Sequence, residues 1–177
     1  MPRRTKRGIA AVLLGVCIGV AAVAAELLLQ GVPLEMAEKL ADAKEIYVAT
    51  QRKDGTRSRA VPVWFGVMDG SLWFTTSPDT YKGKRIRRGS PVFVSVSGKD
   101  GPFVAMKAEI VQDGEAAEKL GKLYEKKYWI AWLGFFRPRK ERVLSGQTLL
   151  IRLTPVEGSS GAEKAGKPSE PASSEGR

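Results

Sequence analysis

Glu45-Ile46-Tyr47-Val48-Ala49-Thr50-Gln51 leads into Lys53-Asp54-Gly55-Thr56. Arg57 to Met68 follows, then Asp69-Gly70, then Ser71-Leu72-Trp73-Phe74-Thr75-Thr76. Asp-Gly pairs supply the positive φ angles that tight hairpins need, and two of them here bracket β-branched and aromatic runs. The stretch therefore predicts a β-meander with strands at Glu45–Gln51, Arg57–Met68 and Ser71–Thr76. Outward from it, Pro91–Ser97, Pro102–Val111 and Gln147–Leu153 are further strand-like runs. Helical spacing of apolar residues marks Pro33–Lys44 and Glu115–Tyr128, with the aromatic run Trp129–Phe136 as a continuation. Ser77–Gly89 reads as a short helix, with Ser77-Pro78-Asp79 suited to its start and Gly89 to its stop. Six strands with interspersed helices and no βαβ alternation predict a mainly β fold, an antiparallel barrel.

Composition narrows the chemistry. The sequence has 177 residues and no histidine. This excludes Ser/His and Cys/His catalysis, histidine-ligated zinc and heme held by a proximal histidine. One cysteine, Cys17, leaves no partner for an intrachain disulfide and no Cys-based metal cluster, so no metal ligands are assigned. Lys and Arg number 29 against 19 Asp and Glu, a net charge of +10. Residues 32–155 carry 22 basic and 14 acidic residues, net +8, so the positive charge belongs to the folded body and implies an anionic partner.

The ends differ from the body. Arg3, Arg4, Lys6 and Arg7 precede Ile9–Ala25, 17 residues without a charge, and Leu27-Leu28-Leu29 follows Glu26. Residues 1–31 read as a signal peptide or an N-terminal transmembrane anchor, and the added leucines favour the anchor. Either reading places the body across the cytoplasmic membrane from the basic N-terminus. Residues 156–177 are rich in Gly, Ser, Pro, Glu and Lys and predict a disordered tail. Residues 32–155 remain as the single domain.

Within that domain, five of the seven residues from Lys82 to Arg88 are cationic, directly after a strand ending in Thr75-Thr76. Hydroxyls and N–H groups at a helix start, flanked by Lys and Arg, suit a phosphate. A solvated basic helix is the plainer reading of such a run. At helical spacing, Lys82, Arg85 and Ile86 share one face, while Lys84, Arg87 and Arg88 form another.

Arg59-Ala60-Val61-Pro62-Val63-Trp64-Phe65, Thr75-Thr76, Thr80-Tyr81-Lys82-x-x-Arg85-Ile86-Arg87-Arg88 and Pro91 together resemble the pyridoxamine 5′-phosphate oxidase-like superfamily. The similarity runs from Leu34 to Pro155 and is greatest to the branch that uses the deazaflavin coenzyme F420. That branch has Ser-x-Lys-x-x-Arg-x-Arg-Arg, with Thr80 here in place of the serine. The resemblance implies a six-stranded antiparallel split β-barrel that binds a flavin-type cofactor, coenzyme F420 or alternatively FMN. It implies that Arg59, Thr75, Thr76, Lys82 and Arg85 contact the cofactor's phosphate or ribityl chain, with Lys84 in the same basic run. Val61, Pro62, Val63 and Trp64 would line the ring.

The function so implied is a homodimeric oxidoreductase that passes a hydride to or from a small organic substrate. Hydride transfer needs no titrating side chain, in keeping with a histidine-free chain, and no catalytic residue is assigned; Tyr81 and Tyr128 are possible proton donors. A non-catalytic flavin or tetrapyrrole carrier and a basic membrane-associated binding protein are the alternatives, and nucleic acid is a disfavoured partner. Tyr128, Trp129, Trp132, Phe135 and Phe136, with Arg137, Arg139, Lys140 and Arg142 after them, read first as core or dimer packing. A substrate wall or a membrane contact is the functional reading of that cluster.

Overall fold

The computed structural model describes residues 31–128 and 137–156. The segment read as a signal or anchor and the tail read as disordered lie outside these residues, save Gly31 and Val156. So does the aromatic run 129–136. No helix among the described residues is long and apolar enough to cross a membrane.

Four helices and seven strands follow one another: α1 (Leu34–Asp42), β1 (Ile46–Thr50), β2 (Val61–Val63), β3 (Gly66–Met68), β4 (Ser71–Thr76), α2 (Tyr81–Arg87), β5 (Val92–Ser95), β6 (Val104–Val111), α3 (Gly114–Lys127), α4 (Lys140–Leu144) and β7 (Leu149–Pro155). All strands pair antiparallel in one sheet, in the order β2-β1-β5-β6-β7-β4-β3. The two edge strands, β2 and β3, are separated in sequence by Trp64 and Phe65 alone. Two residues span only about 10 Å between the flanking positions. The sheet must curl until its edges nearly meet, which makes it a split barrel.

The strand count is seven, not six, because the expected strand Arg57–Met68 breaks in two. Val61–Val63 pairs with β1, whereas Gly66–Met68 pairs with β4. Trp64 and Phe65 interrupt the in–out alternation: Phe65 is buried in the barrel core and Trp64 packs on the outer cluster beneath α3. Pro62 lacks an N–H and suits an edge strand, as β2 is. At the corner, Tyr124 Oη donates to the Trp64 carbonyl (2.8 Å). Tyr128 Oη accepts the Phe65 N–H (3.1 Å) and lies 3.2 Å from the Phe65 carbonyl, to which it donates. The two rings meet edge to face, and Trp64 stacks on Tyr128 at 4.3 Å. Tyr128→Phe leaves the buried Phe65 N–H without its acceptor and should cost about 1–3 kcal/mol in denaturant unfolding. An unchanged midpoint and slope would show that this corner does not depend on the tyrosine.

Alternation explains the two larger cores. Leu72 and Phe74 of β4, with Ile151 and Leu153 of β7, point into the barrel with Ile46 and Val48 of β1. Trp73 and Leu150 point the other way, against Ala117, Leu120 and Tyr124 of α3. α1 buries Met36, Ala37 and Leu40 against the barrel core. The turn at Asp69-Gly70 has positive φ at both residues (50° and 67°), the geometry its sequence predicts. After the basic residues Arg137 and Arg139 the chain forms α4 from Lys140, with Val143 buried beneath it.

Candidate functional site

The site forms where inward-facing positions reach the barrel mouth. On β1 the inward face runs Ile46, Val48, Thr50; on β4 it runs Leu72, Phe74, Thr76. Both faces exchange a hydrocarbon for a hydroxyl at their last residue. α2 lies against β1 and β6 here and drives Ile86 into the core. Between α2 and the β1–β2 hairpin is an open cleft of about 440 Å³, lined by Val48, Thr50, Arg52, Ser58, Arg59, Val61, Thr76, Thr80, Tyr81, Lys82 and Arg85. That lining contains four cations, four aliphatic hydroxyls and no carboxylate.

Arg85 is set by Thr50: Nη1 donates to Oγ1 at 3.3 Å, and the Thr50 N–H is held by Ser58 Oγ at 3.0 Å. Lys82 is half-buried, and its ammonium lies 5.4 Å from the centre of the Phe74 ring. Burial pushes its pKa down to about 8, and no ion pair among the described residues offsets that cost. A lysine held this way gains from any anion that enters the cleft. Thr80 caps α2, accepting the Gly83 N–H at 3.0 Å while donating to the Ser77 carbonyl at 2.9 Å. Its single proton is thereby used, so Thr76, 3.2 Å away, donates in their pair and must turn to donate to a ligand. The helix start thus spends its Gly83 amide on its own cap. Side chains, more than backbone amides, give this cleft its pull on anions.

Of the residues singled out in the sequence, Arg59, Val61, Thr76, Lys82 and Arg85 line the cleft. The other five do not. Thr75 lies on the opposite face of β4 from Thr76, and Pro62 is exposed on the edge strand. Val63 packs against the barrel core, and Trp64 is stacked on Tyr128. Lys84 is exposed, as are Arg87 and Arg88. Arg88 folds back onto Ser90 Oγ (2.8 Å) and the Gln51 carbonyl (3.1 Å), a tie between α2 and the end of β1. Tyr81 borders the cleft, whereas Tyr128 does not, and its hydroxyl is occupied by Phe65 with its pKa pushed up by burial to about 12. Val48, Thr50, Arg52 and Ser58 line the cleft without having been singled out. A threonine continuing an apolar alternation at a strand end was the signal available for Thr50.

The pyridoxamine 5′-phosphate oxidase family matches residues 33–160, most of the chain. This chain belongs to that family. No curated protein matches it. Among solved structures, this family member is similar to HutZ, the heme storage protein from Vibrio cholerae, at 14% identity and a TM-score of 0.51, covering 70% of this chain and 89% of that one. It is similar to a Bacteroides thetaiotaomicron protein provisionally described as conferring 5-nitroimidazole antibiotic resistance, at 15% identity and a TM-score of 0.52, covering 70% and 78%. An F420 reductase matches at 19% identity and a TM-score of 0.41, covering 64% and 87%. For the first two, at these identities, the likeness is one of fold.

Proposed function

We propose that this member of the family is an oxidoreductase that holds a flavin-type cofactor in the cleft at the barrel mouth and exchanges a hydride with a small organic substrate. The supporting observation is the cleft itself, with four cations, four hydroxyls and no carboxylate beside a half-buried lysine. That donor set suits the phosphate of such a cofactor. The run Thr80-Tyr81-Lys82-x-x-Arg85 favours coenzyme F420, with FMN the alternative. When bound, the cofactor supplies the hydride chemistry. The protein's residues do the rest: Lys82, Arg85 and Arg59 neutralise the phosphate, Thr76 orients it, and Val48 and Val61 offer an apolar surface beside it. A second copy of the chain, meeting the exposed β2 edge, would close the open side. The uncharged run Ile9–Ala25 would carry the domain to or across the membrane.

The deciding experiment is mass spectrometry of the small molecule released when native protein is denatured. F420 or FMN is expected, and a different released molecule, or none, defeats the reading. A bound chromophore that no reductant and acceptor pair turns over would move the assignment from enzyme to carrier.

The same site sets a pH dependence. The ammonium of free Lys82 is lost as pH rises through about 8, and an anion binds the charged form better. Cofactor affinity should therefore fall above that pH, by up to about tenfold per unit. Lys82→Arg, which does not titrate there, should flatten the profile in a fluorescence titration; an unaltered profile would assign the dependence elsewhere. Stability runs the opposite way. The folded pKa lies below the unfolded value of 10.5, so between about 8 and 10.5 the unfolded chain binds more protons. The unliganded fold gains stability as pH rises through that window.

A further inference from the structure

Tyr81 opens α2 and is 79% exposed, more than any other exposed large apolar side chain among the described residues. A lone exposed aromatic needs no explanation. Tyr81, however, borders the cationic cleft, and so does Val61 of β2, which is 40% exposed. Val61 pairs across the ladder with Val48, which also lines the cleft, and two residues further along β1 the lining turns polar at Thr50. That is a change from hydrocarbon to hydroxyl within about 7 Å. On α2 the same change recurs. Tyr81 and Arg85 stand at i and i+4 on one face, with the guanidinium 5.7 Å from the ring centre. Both walls thus set an apolar surface beside the charge that would hold a phosphate.

The ring has a firm base. Gly83 is buried against the backbone of Ser77 and Pro78, and Thr80 caps the turn that carries Tyr81. Aromatic faces bind planar rings, with little sequence or substituent preference. We infer that Tyr81 is a stacking platform for the planar ring of a ligand whose phosphate is held by Lys82 and Arg85. The ligand class is then a ring joined to a phosphate by a short linker, not a bare anion or an acidic peptide. This rests on the anionic-cofactor reading above and adds a binding residue to it.

The test uses the full chain, with Tyr81→Ala and Tyr81→Phe beside wild type. The probes are FMN or F420, whichever wild type binds, and inorganic pyrophosphate as competitor. Tyr81→Ala should weaken cofactor binding about tenfold to a hundredfold, Tyr81→Phe should stay within about twofold, and pyrophosphate should compete equally in all three. Unchanged cofactor affinity in Tyr81→Ala, with pyrophosphate still competing, overturns the stacking role and leaves the cofactor reading standing. Failure of wild type to bind any of the probes overturns both. Loss of cofactor in Tyr81→Ala that follows dissociation of a dimer, and is restored at higher protein concentration, assigns the ring to a protein interface and overturns the stacking role.

Discussion

Lys82→Glu with Arg85→Glu should lose its cofactor while keeping its fold. Each side chain offers a charge-assisted contact to a phosphate, about 1.5–3 kcal/mol apiece, so removing both costs about two to four decades of affinity. Glutamates at those positions add repulsion to that loss, so retention should fall by at least about a thousandfold. The fold has little stake in either charge. Lys82 is a desolvated ammonium with only an aromatic ring against it, and Arg85 makes one hydrogen bond, at 3.3 Å, to Thr50. Lys84→Glu with Arg87→Glu changes the net charge equally on the exposed face of the same helix. That control should bind nearly as wild type does, with at most a salt-dependent deficit. Equal losses in the two double variants would reduce the cleft to one part of a generally positive surface. Fluorescence titration of both at two salt concentrations separates the outcomes.

What the sequence made legible was local. Asp69-Gly70 dictates its own turn, and the faces of the Lys82–Arg88 run follow from helical spacing, with Lys82 and Arg85 half-buried and Lys84, Arg87 and Arg88 exposed. Placing Lys84 with the cofactor contacts overlooked that division. What stayed hidden depends on distant partners. Nothing within Arg57–Met68 says that Val63 and Gly66 belong to opposite sheet edges, because the break is fixed by β1 on one side, β4 on the other and two tyrosines about sixty residues away. The adjacent pair Thr75-Thr76 shows the same limit. Alternation requires the two to face opposite ways, but only the packing of Trp73 beneath α3 decides that Thr76 is the one in the cleft. Thr80, not Ser77, caps the helix, so the aliphatic hydroxyl nearest Lys82 in sequence serves the backbone first.

Gly83→Ala should disable the site by a different route. Gly83 lies inside α2, where alanine ordinarily favours the helix by about 1 kcal/mol. Here the sign should reverse. A Cβ on Gly83 would overlap the Ser77 carbonyl oxygen and sit 3.1 and 3.2 Å from the Cα and carbonyl carbon of Pro78. All three neighbours are backbone, so no side chain can swing aside, and α2 itself must lift. Overpacking of this kind costs about 1–3 kcal/mol. Lifting the helix carries Lys82 and Arg85 away from Thr50 and Thr76, and displacement by about 1 Å can cost a hundredfold at a site that depends on geometry. Thermal unfolding should show a lower midpoint, and cofactor retention should fall further than the stability loss alone explains. Lys84→Ala, on the exposed side of the same helix, supplies the reference for a change without a clash. If Gly83→Ala is as stable as wild type and retains its cofactor, then α2 is not keyed against Ser77 and Pro78, and the rigidity assigned to the cleft wall and to Tyr81 has no source.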